Sequence, residues 1–139
     1  MSQPTCKQRW LKNKNSVISD LRKLWSLYCR DPDSTHHDLG NFQEYGLSFD
    51  YVDPKTFKDQ GEGYWRYQIS WGGPSEEFRF FSSGPRYDPY RVEYWFLDWW
   101  DGHGRALQDK DLELLLEIWS WFQDIGSTES EFEKASEEQ

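Results

Sequence analysis

Between residues 44 and 99 the chain alternates apolar and polar side chains with the period of two that a half-buried β-strand requires. Tyr45, Leu47, Phe49 and Tyr51 alternate with Glu44, Gly46, Ser48 and Asp50. Trp65, Tyr67, Ile69 and Trp71 alternate with Arg66, Gln68 and Ser70, and Phe78 and Phe80 with Glu77 and Arg79. Gly72-Gly73-Pro74 and Ser82-Ser83-Gly84-Pro85 supply turns, glycine for positive φ and proline for a fixed one. A longer strand is predicted from about Tyr90 to Trp99, where Tyr94-Trp95-Phe96-Leu97 breaks the alternation as a strand covered on both faces does. Strands at short intervals with tight turns predict an antiparallel meander.

On either side of this block the period changes to that of a helix. Val17, Ile18, Leu21, Leu24, Trp25 and Tyr28 recur at three-and-four spacing, with Arg22, Lys23 and Ser26 between them. They predict a helix capped by Asn13, Asn15 or Ser16 and running to about Arg30. Asp31-Pro32 stops it, because proline disfavours helix at the residue before it. Residues 1–12 read as a frayed basic start and residues 31–41 as a loop. A second helix is predicted from a cap at Gln108 or Asp109 to about Ile125, ended by Gly126. Leu112, Leu115, Leu116, Trp119 and Phe122 form its stripe, widened by Leu114, Ile118 and Trp121.

The predicted order is therefore α-β-β-β-β-α. It describes a single α+β domain over residues 1–126, a four-stranded antiparallel meander sheet flanked by an N-terminal and a C-terminal helix. Residues 127–139 form an acidic tail, either disordered or a short appended element. Both helices pack most simply on one sheet face. Arg66, Gln68, Ser70, Glu77, Arg79, Arg91 and Glu93 then lie on the other, a polar candidate working surface.

Composition sharpens this picture in two respects. Aromatics make up 19% of the 139 residues, with nine Trp, nine Phe and eight Tyr, more than a core of this size uses. The surplus is expected at the surface, where Trp and Tyr serve recognition. The net charge of −9 is also unevenly spread: residues 1–30 hold seven bases against Asp20, whereas residues 107–139 hold two bases against ten acids. Cys6 and Cys29 match neither a disulfide framework nor a zinc pattern. With no apolar run of membrane length and no apolar leader, the expectation is a cytoplasmic protein without membrane association.

Candidate chemistry is sparse. His36-His37-Asp38 offers metal-ligand atoms, but adjacent histidines lack the spacing of a helical zinc motif. Asp101-Gly102-His103-Gly104-Arg105 reads as a turn after the last strand, where a small hydrolase could centre on His103 and Asp101. Gly61-Glu62-Gly63 lacks the third glycine of a dinucleotide loop. No catalytic residue, metal or cofactor is assigned, and the expectation is a protein that is not an enzyme.

Recognition is the better-supported theme. Lys7, Arg9, Lys12, Lys14, Arg22, Lys23 and Arg30, with Trp10 and Trp25, invite a nucleic-acid reading, but the acidic remainder would repel a polyanion. Direct nucleic-acid binding is not expected. Asp109, Asp111, Glu113, Glu117 and Asp124 instead place carboxylates along one helix, and Glu129, Glu131, Glu133, Glu137 and Glu138 follow. Such a file can imitate phosphates and steer association with a basic protein.

Three stretches carry a resemblance: Glu44 to Val52, Gly63 to Phe80, and Tyr94-Trp95-Phe96-Leu97-Asp98-Trp99-Trp100-Asp101-Gly102. Over roughly residues 40–125 the chain resembles uncharacterised small proteins of bacterial plasmids and other mobile elements. That resemblance implies an accessory gene product of the anti-CRISPR or anti-restriction kind. The leading expectation is a nucleic-acid-mimicking inhibitor whose partner is a defence protein with a basic surface. Its predicted contacts are Glu76, Glu77, Asp98, Trp99, Trp100, Asp101, Asp111 and Glu117. A toxin-neutralising immunity protein and a nucleic-acid-binding accessory factor using the basic helix are the alternatives.

Overall fold

A Thr-x-x-Gln signature starts the first helix well before its apolar stripe does. The computed structural model describes residues 5–72, 74–98 and 101–137 and places α1 at Cys6–Arg30. Thr5 Oγ1 accepts the Gln8 N–H at 3.2 Å, and Gln8 Oε1 accepts the Thr5 N–H at 2.8 Å. This is the reciprocal pair of a capping box. Residues 6–12, expected to fray, are thus helical, and Cys6 and Trp10 are buried. The cap at Asn13, Asn15 or Ser16 was misplaced because the first two turns carry few apolar residues.

A short α2 (Phe42–Tyr45) leads into five strands: β1 (Ser48–Val52), β2 (Tyr64–Ser70), β3 (Ser75–Phe81), β4 (Arg91–Asp98) and β5 (Asp101–Ala106). Each pairs antiparallel with the next, in the order β1-β2-β3-β4-β5. The meander is as expected, but it has five strands and not four. Residues Asp101 to Arg105 read as a turn in the sequence because they have no apolar alternation, yet they form most of β5. Its glycines have a different use. A Cβ at Gly104 would sit 2.0 Å from Trp95 Cε2, and one at Gly102 would sit 2.7 Å from Leu97 Cδ2. β4 therefore lays Trp95 and Leu97 across the bare backbone of β5 while Tyr94 and Phe96 enter the core.

α3 (Asp109–Asp124) follows, with Gln108 as N-cap, and the chain leaves it through Gly126 at φ 84°. α4 (Ser127–Glu137) occupies the segment left open between disorder and an appended element. It packs against β1 and is tied down at its start. The Thr128 hydroxyl donates to the Pro85 carbonyl at 2.9 Å, and Trp65 Nε1 donates to the Thr128 carbonyl at 2.9 Å. The architecture is α+β, with α1 and α3 covering the same sheet face.

Aromatic rings fill the space between. Trp119, fully buried, meets Trp65 edge-on at 5.2 Å and Phe80 at 5.3 Å between ring centres. Phe122 stacks on Phe49 at 3.9 Å. At the other end Trp10 packs edge-on against Tyr94 at 5.7 Å, and its indole donates to the Tyr94 carbonyl at 2.8 Å. Trp119→Ala should therefore lower stability by about 3–5 kcal/mol, from lost burial and the cavity left behind. Urea denaturation followed by circular dichroism measures it, and an unshifted midpoint would refute this account of the core.

Candidate interaction surfaces

Three of the seven bases of α1 are paired within the molecule. Arg9 meets Asp98 at 2.6 Å, and Lys14 and Arg22 converge on Asp111 at 2.7 and 3.4 Å. Asp101 Oδ2 accepts the Cys6 N–H at 2.8 Å, placing a carboxylate at the positive end of the helix dipole. That contact, first among several, holds the Asp101 carboxyl below its usual range. Glu76 lies on the helix-covered side of the sheet, where Tyr94 Oη donates to it at 2.9 Å and Ser70 Oγ at 3.2 Å.

These six contacts decide how the predicted contact set sits. Asp98, Asp101 and Asp111 anchor α1. Glu76 and Glu77 belong to opposite faces of β3, and Glu77 is only 3% exposed, held by Arg79 Nε at 2.8 Å. Glu117 projects from α3 into solvent. Trp99 and Trp100 lie outside the described residues. The structure does not gather the set into one patch.

The face turned away from the helices carries most of the predicted working surface. Arg66 grips Asp50 with two bonds of 3.0 and 2.7 Å, and Arg91 bridges Glu93 at 2.9 Å and Glu62 at 2.6 Å. The Arg79 guanidinium lies 4.0 Å over Trp95 and 4.7 Å over Tyr64, and that of Arg91 lies 4.0 Å over Phe81. Ser70 is the exception. A register shift between Gln68 and Ser70 pairs Ser70 with Glu76 and turns it to the helix side. A bulge of this kind re-aims whatever follows it.

The segment 57–62 rises over one end of this face and walls a groove of about 420 Å³ with Tyr64, Arg79, Phe81, Arg91, Glu93 and Trp95. Tyr64 Oη, in the groove, and Gln68 Nε2, outside it on the same strand, are buried without a hydrogen-bond partner. Burial pushes the Tyr64 phenol up to about 12. Arg79, Arg91, Glu62 and Glu93 are paired within the face itself, so the groove is floored by guanidinium groups stacked on aromatic rings. No family model, curated protein or solved structure matches this chain. Its surfaces must therefore be judged on their own chemistry.

Two loop features of the sequence resolve clearly. His36 Nδ1 accepts the backbone N–H groups of Asp38 and Leu39 at 3.1 and 3.2 Å. These bonds occupy one of the two ring nitrogens of His36 that could ligate an ion. The His36-His37-Asp38 cluster thus builds a turn, closed by a bridge from His36 to Gly40. His103, expected in a turn, lies in β5 and meets the Trp10 ring edge-on at 6.0 Å. Desolvation, with Arg105 and Lys7 nearby, pulls its pKa below the ordinary histidine value.

Uncompensated acidic charge lines one face of α3. Glu113, Glu117, Ser120 and Asp124 are exposed, and their spacing of four, three and four residues puts them on one helical face. None of these three acids forms an ion pair among the described residues. Glu133 and Glu137 add exposed acids on α4. Sequence reasoning named the file of acids but could not tell Asp111, which is paired, from Glu113, which is not.

Two measurements check this distribution. Arg79→Met leaves Glu77 as an unpaired buried carboxylate and should cost about 3 kcal/mol, most of it recovered by adding Glu77→Gln. Equal losses in the single and double variants would refute the pairing. Because folding lowers the His103 pKa, the unfolded state takes up the proton first as pH falls below about 6.5. Its contribution is complete above that pH and is lost on acidification. His103→Phe should flatten the stability profile in that window, and an unchanged slope would dismiss the effect.

Proposed function

We propose that this protein is a non-enzymatic inhibitor that docks its acidic helix face on a basic, nucleic-acid-binding surface of a host defence or effector protein, of the anti-CRISPR or anti-restriction kind. The observation that carries the reading is the Glu113–Glu117–Asp124 stripe. At a rise of 1.5 Å per residue it spans about 16 Å of a rigid helix. A mimic of a polyanion needs carboxylates that are exposed and not already neutralised by the chain's own bases. This stripe supplies them, and Glu117 belongs to it.

The pairing of α1 with Asp98 and Asp111 supports the same reading from the other side. It removes three of the seven bases that would otherwise draw the protein to nucleic acid. Among the described residues no helix is long and apolar enough to cross a membrane. The resemblance to small proteins of mobile elements supplies the setting, in which an accessory protein meets a host nuclease. Exposed charge of one sign acts mainly through the association rate and its dependence on salt.

The test uses the tagged full-length chain on bacterial lysate, treated or untreated with nuclease. The expected result is one nucleic-acid-binding protein retained after nuclease and displaced by added DNA. Glu113→Lys together with Glu117→Lys should weaken that capture about tenfold at low salt and flatten its salt dependence. Retention that disappears with nuclease would favour the accessory-factor alternative. Capture indifferent to both reversals would remove electrostatic mimicry.

A further inference from the structure

β5 is an open edge. The sheet order ends on it, and no described residue pairs with its outer side. The Leu107 N–H donates to the Val92 carbonyl at 2.8 Å, and an antiparallel ladder alternates hydrogen-bonded with non-hydrogen-bonded pairs. Arg105, His103 and Asp101 therefore turn their backbone groups inward to β4, while Gly102 and Gly104 turn theirs outward. Natural edges are commonly blunted by lysine, proline or a bulge. Asp101–Ala106 contains neither lysine nor proline and pairs with β4 in unbroken register.

We infer that β5 pairs antiparallel with β5 of a second copy about a two-fold axis at His103, joining two sheets into one of ten strands. The ladder's alternation admits axes at Gly102, His103 or Gly104. An axis at Gly104 sets His103 opposite Arg105, and one at Gly102 leaves Arg105 beyond the described strand. An axis at His103 sets Asp101 opposite Arg105 twice, once in each direction, as an isologous interface requires. Both are non-hydrogen-bonded pairs, in which side chains approach most closely.

Glycine makes the charges decisive. Gly102 and Gly104 present no side chains on one face of the strand, so packing specifies register only weakly. Asp101, His103 and Arg105 on the other face must specify it. Arg105 is exposed and has no ion pair among the described residues. Asp101 is poised for an exchange. Its Oδ1 accepts the outward Gly102 N–H at 3.0 Å, while Oδ2 holds the start of α1. On pairing, the Gly102 N–H passes to the Gly104 carbonyl of the second copy, and Oδ1 turns to that copy's Arg105.

Sedimentation of the full-length chain at micromolar concentrations tests the inference, independently of the proposed partner. The expected result is a dimer. Arg105→Asp places acids at both positions and Asp101→Arg places bases at both, so each variant should weaken its own dimer about tenfold or more. Mixed in equal amounts, the two restore both opposite-charge pairs and should form a heterodimer. A wild-type monomer throughout, a dimer indifferent to Arg105→Asp, or a mixture that stays monomeric would overturn the inference. Far-UV circular dichroism identifies any variant that fails to fold, and Arg105→Asp alone, at an exposed site, keeps the test decisive.

Discussion

Burying an indole obliges a fold to find an acceptor for its N–H, and that obligation organises this molecule. Trp10 donates to the Tyr94 carbonyl, Trp65 to that of Thr128, and Trp119 to that of Tyr87. Trp121, half-buried, donates to the Tyr28 hydroxyl. Each bond joins a different pair of elements: α1 to β4, β2 to α4, α3 to the β3–β4 connection, and α3 to α1. An unsatisfied buried donor costs on the order of 1–3 kcal/mol, so each indole fixes position as well as filling space. Layers packed by aliphatic residues alone could slide past one another with less penalty.

Charge is arranged by the same economy. The lopsided sequence separates its bases from its acids, and folding brings the two together along α1. Arg9, Lys14 and Arg22 are taken up by Asp98 and Asp111, and the helix start by Asp101. These pairs lie partly out of water, where they are screened less than isolated surface pairs. What remains exposed on the outer face of α3 is acidic. Among the described residues Glu113, Glu117 and Asp124 form no ion pair, so the face of α3 that they share keeps its charge.

The β4–β5 hairpin shows how one strand can be written in the side chains of another. Trp95 and Leu97 cover β5, so β5 needs no apolar residues of its own and tolerates glycine only where those side chains lie. Trp95 is also the platform for Arg79, which holds the buried Glu77. A single aromatic residue therefore links the outer edge of the sheet to the charged network at its centre.

Amphipathic periodicity marked the strands β1 to β3, the helix α3 with its glycine stop, and the core half of α1, and the unbroken apolar run Tyr94-Trp95-Phe96-Leu97 marked β4. In each of them the side chains that enter the core recur at the period of the element, so the pattern of burial is printed directly on the chain. Thr5 and Gln8 also announced the true start of α1, through a capping signature that the apolar stripe obscures. Only the tertiary structure decided the fifth strand, because the apolar cover of Gly102 and Gly104 is supplied from β4. Only it distinguished Asp111 and Asp98, bound to distant bases, from Glu113 and Glu117, which face water. A carboxylate's partner lies up to 97 residues away in this chain, and no local pattern records a contact made across the fold.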